Sequence, residues 1–435
     1  MRLRSPYDSE IGRLAIPALG TLIAEPLYVL VDTAIVGHLG TTELAGLALA
    51  ATVLLTVHAL LIFLAYGTTA SVSRLIGAEK FDRAAHRSVQ ALWLAAVLGT
   101  VVVAALIVAA DPLLRLLGGK GEVFDAARLY LTVSLLGFPF MLLLLAASGS
   151  FHGRQNTRLP LIIAVTGAVL NLVIELVLIF GLGYGLGASA LATVIAQVLT
   201  GTAGLILVLR WARQVGATLG PDSTEMKDLL RAGGALVVRT AALRGSFTLS
   251  VAVSSRMGVV EVAAHQVALQ VWSLLALALD SVAIAGQALT GRFLGARDAL
   301  RARGAATRMI EIDVALGVGL GLVLLALRGP LASVFSNDPA VVTLTSFILI
   351  HAAVQQPVGG LVFALDGILI GAGDLAYMAR SMVVAAAVFA TLASVIVVQD
   401  LGMGWLWAAL FVFMVVRGAT LWRRWRGSAW LVLGA

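Results

Sequence analysis

The chain has 435 residues, of which 60% are hydrophobic and only 12% are charged, with a mean hydropathy of +1.00 and no cysteine. So few charges cannot cover the surface of a water-soluble domain, so the composition predicts an all-α integral membrane protein and excludes disulfides and thiol metal ligands. The net charge of +7 points to basic residues gathered at cytoplasmic helix ends, where they set topology, and not to nucleic acid.

Residues 1–13 are basic and run into the first apolar stretch without a cleavage site, so no removable signal peptide is expected. A helical span needs about 20 apolar residues. Gly, Pro and charge clusters then predict spans at 11–37, 43–73, 88–110, 124–150, 158–181 and 187–210, followed by 229–255, 261–291, 306–328, 340–370, 376–398 and 403–422. The longest polar stretch lies between Trp211 and Asp228. It divides the chain into an N-lobe (1–210, six spans), a cytoplasmic linker (211–228) and a C-lobe (229–435, six spans).

The two halves match each other at an offset of 218 residues. Gly40 falls on Gly258, Glu43 on Glu261, Pro112 on Pro330, Pro139 on Pro357, Gly149 on Gly367 and Gly153 on Gly371. The run Arg74–Ala78 falls on Arg292–Ala296. Near the end the register slips by one, where Gly185 and Gly187 meet Gly402 and Gly404. A duplicated apolar chain is the design of a secondary transporter, with its ligand site at the repeat interface.

Lys and Arg fall mostly on one side of the predicted spans. That side holds Arg74, Lys80, Arg83, Arg87, Arg154, Arg210, Lys227, Arg231, Arg292, Arg297, Arg303, Arg380 and the 417–426 cluster. The other side holds only Arg115, Lys120, Arg128, Arg256 and Arg328. The rich side is cytoplasmic by the positive-inside rule, which places both termini inside. Six spans per half is an even number, so the halves enter the membrane in the same direction as parallel repeats. Three Lys against 27 Arg, with heavy Ala, Val and Leu usage, suggest a GC-rich bacterial genome and hence a bacterial inner membrane.

An ionisable group at membrane depth costs about 2.5–3.5 kcal/mol or more at a helix centre and is a functional candidate by default. The first half carries Glu25, Asp32 and Glu175, with Asn171 beside them; the second carries Arg239, Arg244, Asp280 and Asp366. At the repeat offset these charges fall on Ser250, Ala393, Pro26, Ile62 and Ser148 among others. The skeleton is duplicated and the charges are not, so the halves are expected to do different jobs.

In the second half, matched depths predict the pairs Arg244–Asp280 and Arg239–Asp366, or one network of four. Such pairs either hold a bundle together or contact substrate. In the first half, Glu25 and Asp32 lie two turns apart on one helix face, and Asn171 and Glu175 lie four apart on another. Acids in an apolar site with no cation nearby can carry a proton near neutral pH, so these residues are the expected ion-coupling site. Pro26 follows Glu25 and removes a backbone hydrogen bond, making it a candidate hinge.

No histidine pair has metal-ligand spacing, and no phosphate-binding Gly-rich loop appears. No metal or cofactor is expected beyond transported H⁺ or Na⁺, and an ion or substrate gradient must supply the energy. No triad, metal motif or nucleophile elbow supports an integral-membrane enzyme.

The stretches PLYVLVDTAIVGHLGTTELAGLALA at 26–50, FHGRQNTRLPL at 151–161 and LNLVIELVLIFGLGYGLGASALATVIAQ at 170–197 resemble the multidrug and toxic compound extrusion family, closest to its DNA-damage-inducible F branch. RMGVVEVAAHQVALQVW at 256–272, LDSVAIAGQALTGRFLGA at 279–296 and ALDGILIGAGD at 364–374 carry the same resemblance in the second half. It covers nearly the whole chain. It implies two six-helix lobes around a V-shaped cleft that opens alternately to each side. It also implies export of amphiphilic, often cationic compounds against inward H⁺ or Na⁺. The family's first-helix coupling Asp maps to Asp32, its fifth-helix Asn and acid to Asn171 and Glu175, and the branch's eighth- and tenth-helix Asp to Asp280 and Asp366. The fifth-helix acid here is Glu where some relatives have Asp. A monomer acting on a small amphiphile in the lipid bilayer is the expected arrangement. The competing readings are a lipid-linked-precursor flippase, which Arg239 and Arg244 would serve, and an exporter dedicated to one metabolite.

Overall fold

A computed structural model describes residues 5–434. Lipid leaves no partner for an open backbone amide, so each long apolar run closes its hydrogen bonds within a helix. The helices are α1 (Asp8–Gly37), α2 (Thr41–Leu61), α3 (Phe63–Gly77), α4 (Phe81–Leu116), α5 (Gly121–Ser134), α6 (Phe138–Gly153), α7 (Arg158–Leu176), α8 (Leu186–Gln214), α9 (Ser223–Met257), α10 (Val259–Gly295), α11 (Ala299–Phe335), α12 (Pro339–Gly371), α13 (Leu375–Val398) and α14 (Met403–Arg426). A π-helical turn, Val177–Gly181, extends α7. Among the described residues, eleven helices or collinear pairs are long and apolar enough to span a membrane. The α5–α6 pair, bent by 52°, makes a twelfth. The chain is a multi-pass, all-helical membrane protein.

Chain contacts divide it into two compact units. One is Gly20–Gly233; the other joins residues 5–19 to residues 234–434. The start of α1 therefore packs with the second half, whereas the sequence division had put it with the first. Ion pairs hold it there. Asp8 accepts from Arg308 at 2.6 Å and Glu10 from Arg292 at 2.9 Å, and the Tyr7 ring lies edge-on to Phe293.

The repeat is visible in the backbone of each unit. Glu79 and Arg297 end the α3 and α10 turns at the same left-handed φ of 59°. In both places the next amide, Lys80 or Asp298, reaches back to a carbonyl five residues earlier, at Leu75 or Phe293, the Schellman closure of a helix end. Gln155 (φ 61°) corresponds to Gly373 (φ 74°) in the same way. The register slip also appears, since Gly183 (φ 69°) and Asp400 (φ 50°) lie 217 apart.

The copies differ where spans break. The second span of the first half is interrupted at Ile62, whereas α10 passes through the equivalent Asp280 unbroken. The fourth span is split ahead of Pro139, which sits in the first turn of α6, while α12 continues through Pro357. A proline in the first turn leaves no intrahelical donor unsatisfied.

The interhelical linker is fixed within the first unit. Its backbone is read by side chains of α4: Gln90 donates to Gly220 O and accepts from Asp222 N, both at 2.8 Å, and the Trp93 indole donates to Leu219 O at 3.0 Å. Arg87 pairs with Glu225.

Candidate functional site

In the first unit, three helices each bring one i,i+4 pair to a common place. These are Tyr28 and Asp32 on α1, Asn171 and Glu175 on α7, and Ser189 and Thr193 on α8. A spacing of four puts both members on one helix face a turn apart, so the six side chains form two polar layers. In one, Ser189 Oγ donates to Asp32 Oδ1 at 2.7 Å, and the Glu175 carboxyl neighbours both. In the other, Thr193 Oγ1 receives Asn171 Nδ2 at 3.1 Å and contacts Tyr28 Oη at 2.7 Å. Tyr130 of α5 faces Asp32, Ser189 and Thr193.

These groups are deeply buried. Asp32 is 5% exposed, Asn171 2%, Glu175 1% and Ser189 0%. Neither Glu175 oxygen makes a hydrogen bond. Beyond the acid layer, Ile35, Ile179 and Ala188 pack as a buried apolar cluster with Leu39, Leu172 and Leu178 against it. Ile179 belongs to the π turn, a distortion frequent beside functional sites. The expected meeting of Asp32, Asn171 and Glu175 thus occurs. Glu25 does not join it: it is exposed, two turns away along α1. Pro26 lies inside α1, which runs without a break. Sequence reasoning missed Tyr28, Tyr130, Ser189 and Thr193; the repeated spacing of four was the available signal for three of them.

In the second unit, Asp366 accepts hydrogen bonds from two guanidiniums on the same oxygen. One is Arg239, as expected; the other is Arg417 Nη2 at 2.8 Å. All three are buried, at 4%, 9% and 2% exposure. A carboxylate shared by two guanidiniums is the dense charge-assisted arrangement that makes ions tolerable in an apolar interior. Arg417 is therefore not one of the cytoplasmic arginines among which the positive-inside count had placed it. The expected Arg244–Asp280 pair is absent. Arg244 is exposed on α9 and makes no ion pair among the described residues, while Asp280 faces Arg239 and Asp366. Arg239 and Arg244 are five residues apart, about 140° around a helix, so only one of them can turn inward here. Asp313 of α11, fully buried, was also missed.

Among the described residues, no group of three or more His, Asp or Glu is placed to hold a metal ion.

A protein-family model described as MatE matches residues 17–177 and again 236–396, one match in each half. The chain is 32% identical over 448 residues to the DNA damage-inducible protein F of Escherichia coli, covering 99% of this chain and 95% of that protein. It is 32% identical over 426 residues to Protein DETOXIFICATION 44, chloroplastic, of Arabidopsis thaliana, covering 94% and 80%. Among solved structures it resembles a MOP superfamily transporter from Pyrococcus furiosus, with a TM-score of 0.89, 24% identity and coverage of 98% and 97%. A Vibrio cholerae MATE transporter gives a TM-score of 0.88 at 19% identity, covering 96% of each chain; at these identities the two structures speak for the fold alone. A twice-repeated family match over most of a twelve-span helical chain, joined to close relatives along its full length, is decisive: the chain belongs to the multidrug and toxic compound extrusion family, whose members are transporters and not enzymes.

Proposed function

We propose that this protein exports amphiphilic, cationic drugs or toxic compounds from a bacterial cell in exchange for inward protons, with Asp32 as the exchanging carboxyl. The observation that carries this reading is the buried pair Asp32–Glu175. Its neighbours are Ser189, Thr193, Asn171, Tyr28 and Tyr130, none of them basic. Two carboxyls so placed repel each other when both are ionised, so the pair takes up a proton or a cation.

Protonation at Asp32 removes the charge that attracts a cationic drug, and Glu175 and Asn171 share the change. Bending of α1 at Pro26 would carry it to the rest of the half, and Glu25 lies one residue from that hinge. Competition between proton and drug for one carboxyl makes exchange obligatory, since each ligand shifts the conformational populations only by its differential affinity. The positive-inside count supports an inner-membrane protein with both termini in the cytoplasm. The protein is read as acting as a monomer.

The test is reconstitution into proteoliposomes with an imposed pH gradient, following efflux of ethidium with and without Na⁺. Efflux driven by the pH gradient alone and lost in Asp32→Asn supports the reading. Efflux that needs Na⁺, or that survives in Asp32→Asn, overturns it. No movement under either gradient favours a lipid-precursor or single-metabolite substrate, and the exposed Arg244 becomes the residue to substitute.

A further inference from the structure

The second unit holds an acid that the exchange at Asp32 does not use. Asp313 of α11 is 0% exposed, and neither of its carboxyl oxygens makes a hydrogen bond. It lies where α11 and α12 are pressed together. A Cβ on Gly360 would come within 2.2 Å of Asp313 O, and one on Gly317 within 2.3 Å of Gln356 O. Such an interface leaves little room for water to solvate an ion.

The charged groups that the buried network brings together are Arg239 of α9, Asp280 of α10, Asp366 of α12 and Arg417 of α14. On α11 itself, Arg308 is bound to Glu311 at 2.7 Å and to Asp8 at 2.6 Å. Asp280 is the neighbour that Asp313 feels directly. Asp280 in turn faces Arg239 and Asp366.

Three acids and two guanidiniums thus share one interior. Fully ionised, the cluster carries one uncompensated negative charge in an apolar lobe, which is costly. One proton brings it to neutrality. Asp366 already accepts from both guanidiniums, and Asp280 is half-buried beside Arg239. Asp313 alone is fully enclosed and unpartnered. We infer that the C-terminal half binds an exchangeable proton of its own, held by Asp313 within reach of Asp280 and separate from the Asp32–Glu175 pair. The use of that proton rests on the transport reading above: any step that moves Arg239 from Asp366 toward Asp280 changes the charge around Asp313 and loads or releases it. The proton itself does not rest on that reading.

Infrared spectroscopy of the purified full-length protein in detergent tests this without any transported compound. The readout is the C=O stretch of protonated carboxyls, identified by its shift in D₂O and followed across pH. Asp32→Asn is expected to keep a protonated-carboxyl band at neutral pH, and Asp313→Asn to lose that component. Asn copies the shape of the neutral acid, so this variant is expected to unfold near the wild-type temperature. As a second variant, Asp280→Asn removes the cluster's surplus negative charge and is expected to move the loss of the Asp313 band to lower pH. The inference is overturned by a spectrum that Asp313→Asn leaves unchanged, by the absence of any such band in Asp32→Asn, or by an Asp313 band that Asp280→Asn does not move. Loss of the band on replacing choline chloride with NaCl at fixed pH makes this a metal-cation site and also overturns it. Failure of drug–proton exchange in liposomes leaves the band in place, so the two readings fail separately.

Discussion

Gly149 and Gly367 make the same contact in the two halves of the chain. A Cβ on Gly149 would lie 2.5 Å from Ala65 O, and one on Gly367 would lie 2.3 Å from Ala283 O. All four residues obey the 218-residue offset. The fourth span of each half thus packs its glycine on the backbone of the second. Gly149→Ala or Gly367→Ala must push that helix pair apart, at a cost of about 1–3 kcal/mol. Gly67→Ala, on α3 with nothing within 4 Å, is expected to be neutral or stabilising. Thermal unfolding in detergent separates them; equal melting of Gly67→Ala and Gly149→Ala would contradict the contact.

Ser189 is the hydrogen-bond donor to Asp32. Ser189→Ala removes a bond to an ionisable group worth about 1.5–3 kcal/mol. If that bond supports the transport cycle, pH-driven ethidium efflux falls about tenfold or more, without the complete loss expected of Asp32→Asn. An unchanged efflux rate in Ser189→Ala would remove Ser189 from the proposed coupling site.

Asp366 accepts from Arg239 and Arg417 on one oxygen. Asp366→Ala takes the shared carboxylate from two buried guanidiniums and is expected to cost about 3–5 kcal/mol. Arg417→Met removes one surplus charge, so adding it to Asp366→Ala should recover part of the loss. The double-mutant cycle is read by thermal unfolding. Strict additivity of the two substitutions would show that the residues do not interact.

Glu79 holds a left-handed backbone, φ 59°, and is exposed. A side chain in that conformation costs about 1–2 kcal/mol relative to glycine, part of which glycine returns through its greater freedom when unfolded. Glu79→Gly is therefore expected to raise the melting temperature slightly. A lowered melting temperature would mean that the Glu79 side chain makes a contact worth more than the strain.

The twelve spans and the duplication were legible because lipid imposes one rule on every span, and because Gly and Pro mark the turns of both copies alike. The meeting of the first-half acids in the candidate site was legible for a related reason: acids in apolar runs are rare, and a spacing of four declares a shared face. Its hydroxyl partners share that spacing, but Ser and Thr in a span also satisfy themselves on the preceding turn, as Thr200 does on Ala196 O, so the spacing by itself did not single them out. Arg417 was hidden by its neighbours. It begins a run ending in Arg423, Arg424 and Arg426, and a count of basic residues cannot tell that the first faces a carboxylate while the others lie two turns further along the helix. Asp313 was hidden likewise, two residues beyond Glu311 and five beyond Arg308. In sequence it looks like part of that solvent-end charge cluster; only helix rotation turns it inward.

Ile35, Ile179 and Ala188 close one side of the acid layer with hydrocarbon alone. Such a seal offers no chain of hydrogen-bonding groups along which a proton could hop, and it stays dry while its side chains touch. On that side the acid layer at Asp32 is therefore a blind end and not a conduit. For the exchange proposed above, this thin plug is what would keep the ion gradient from draining when no cargo moves.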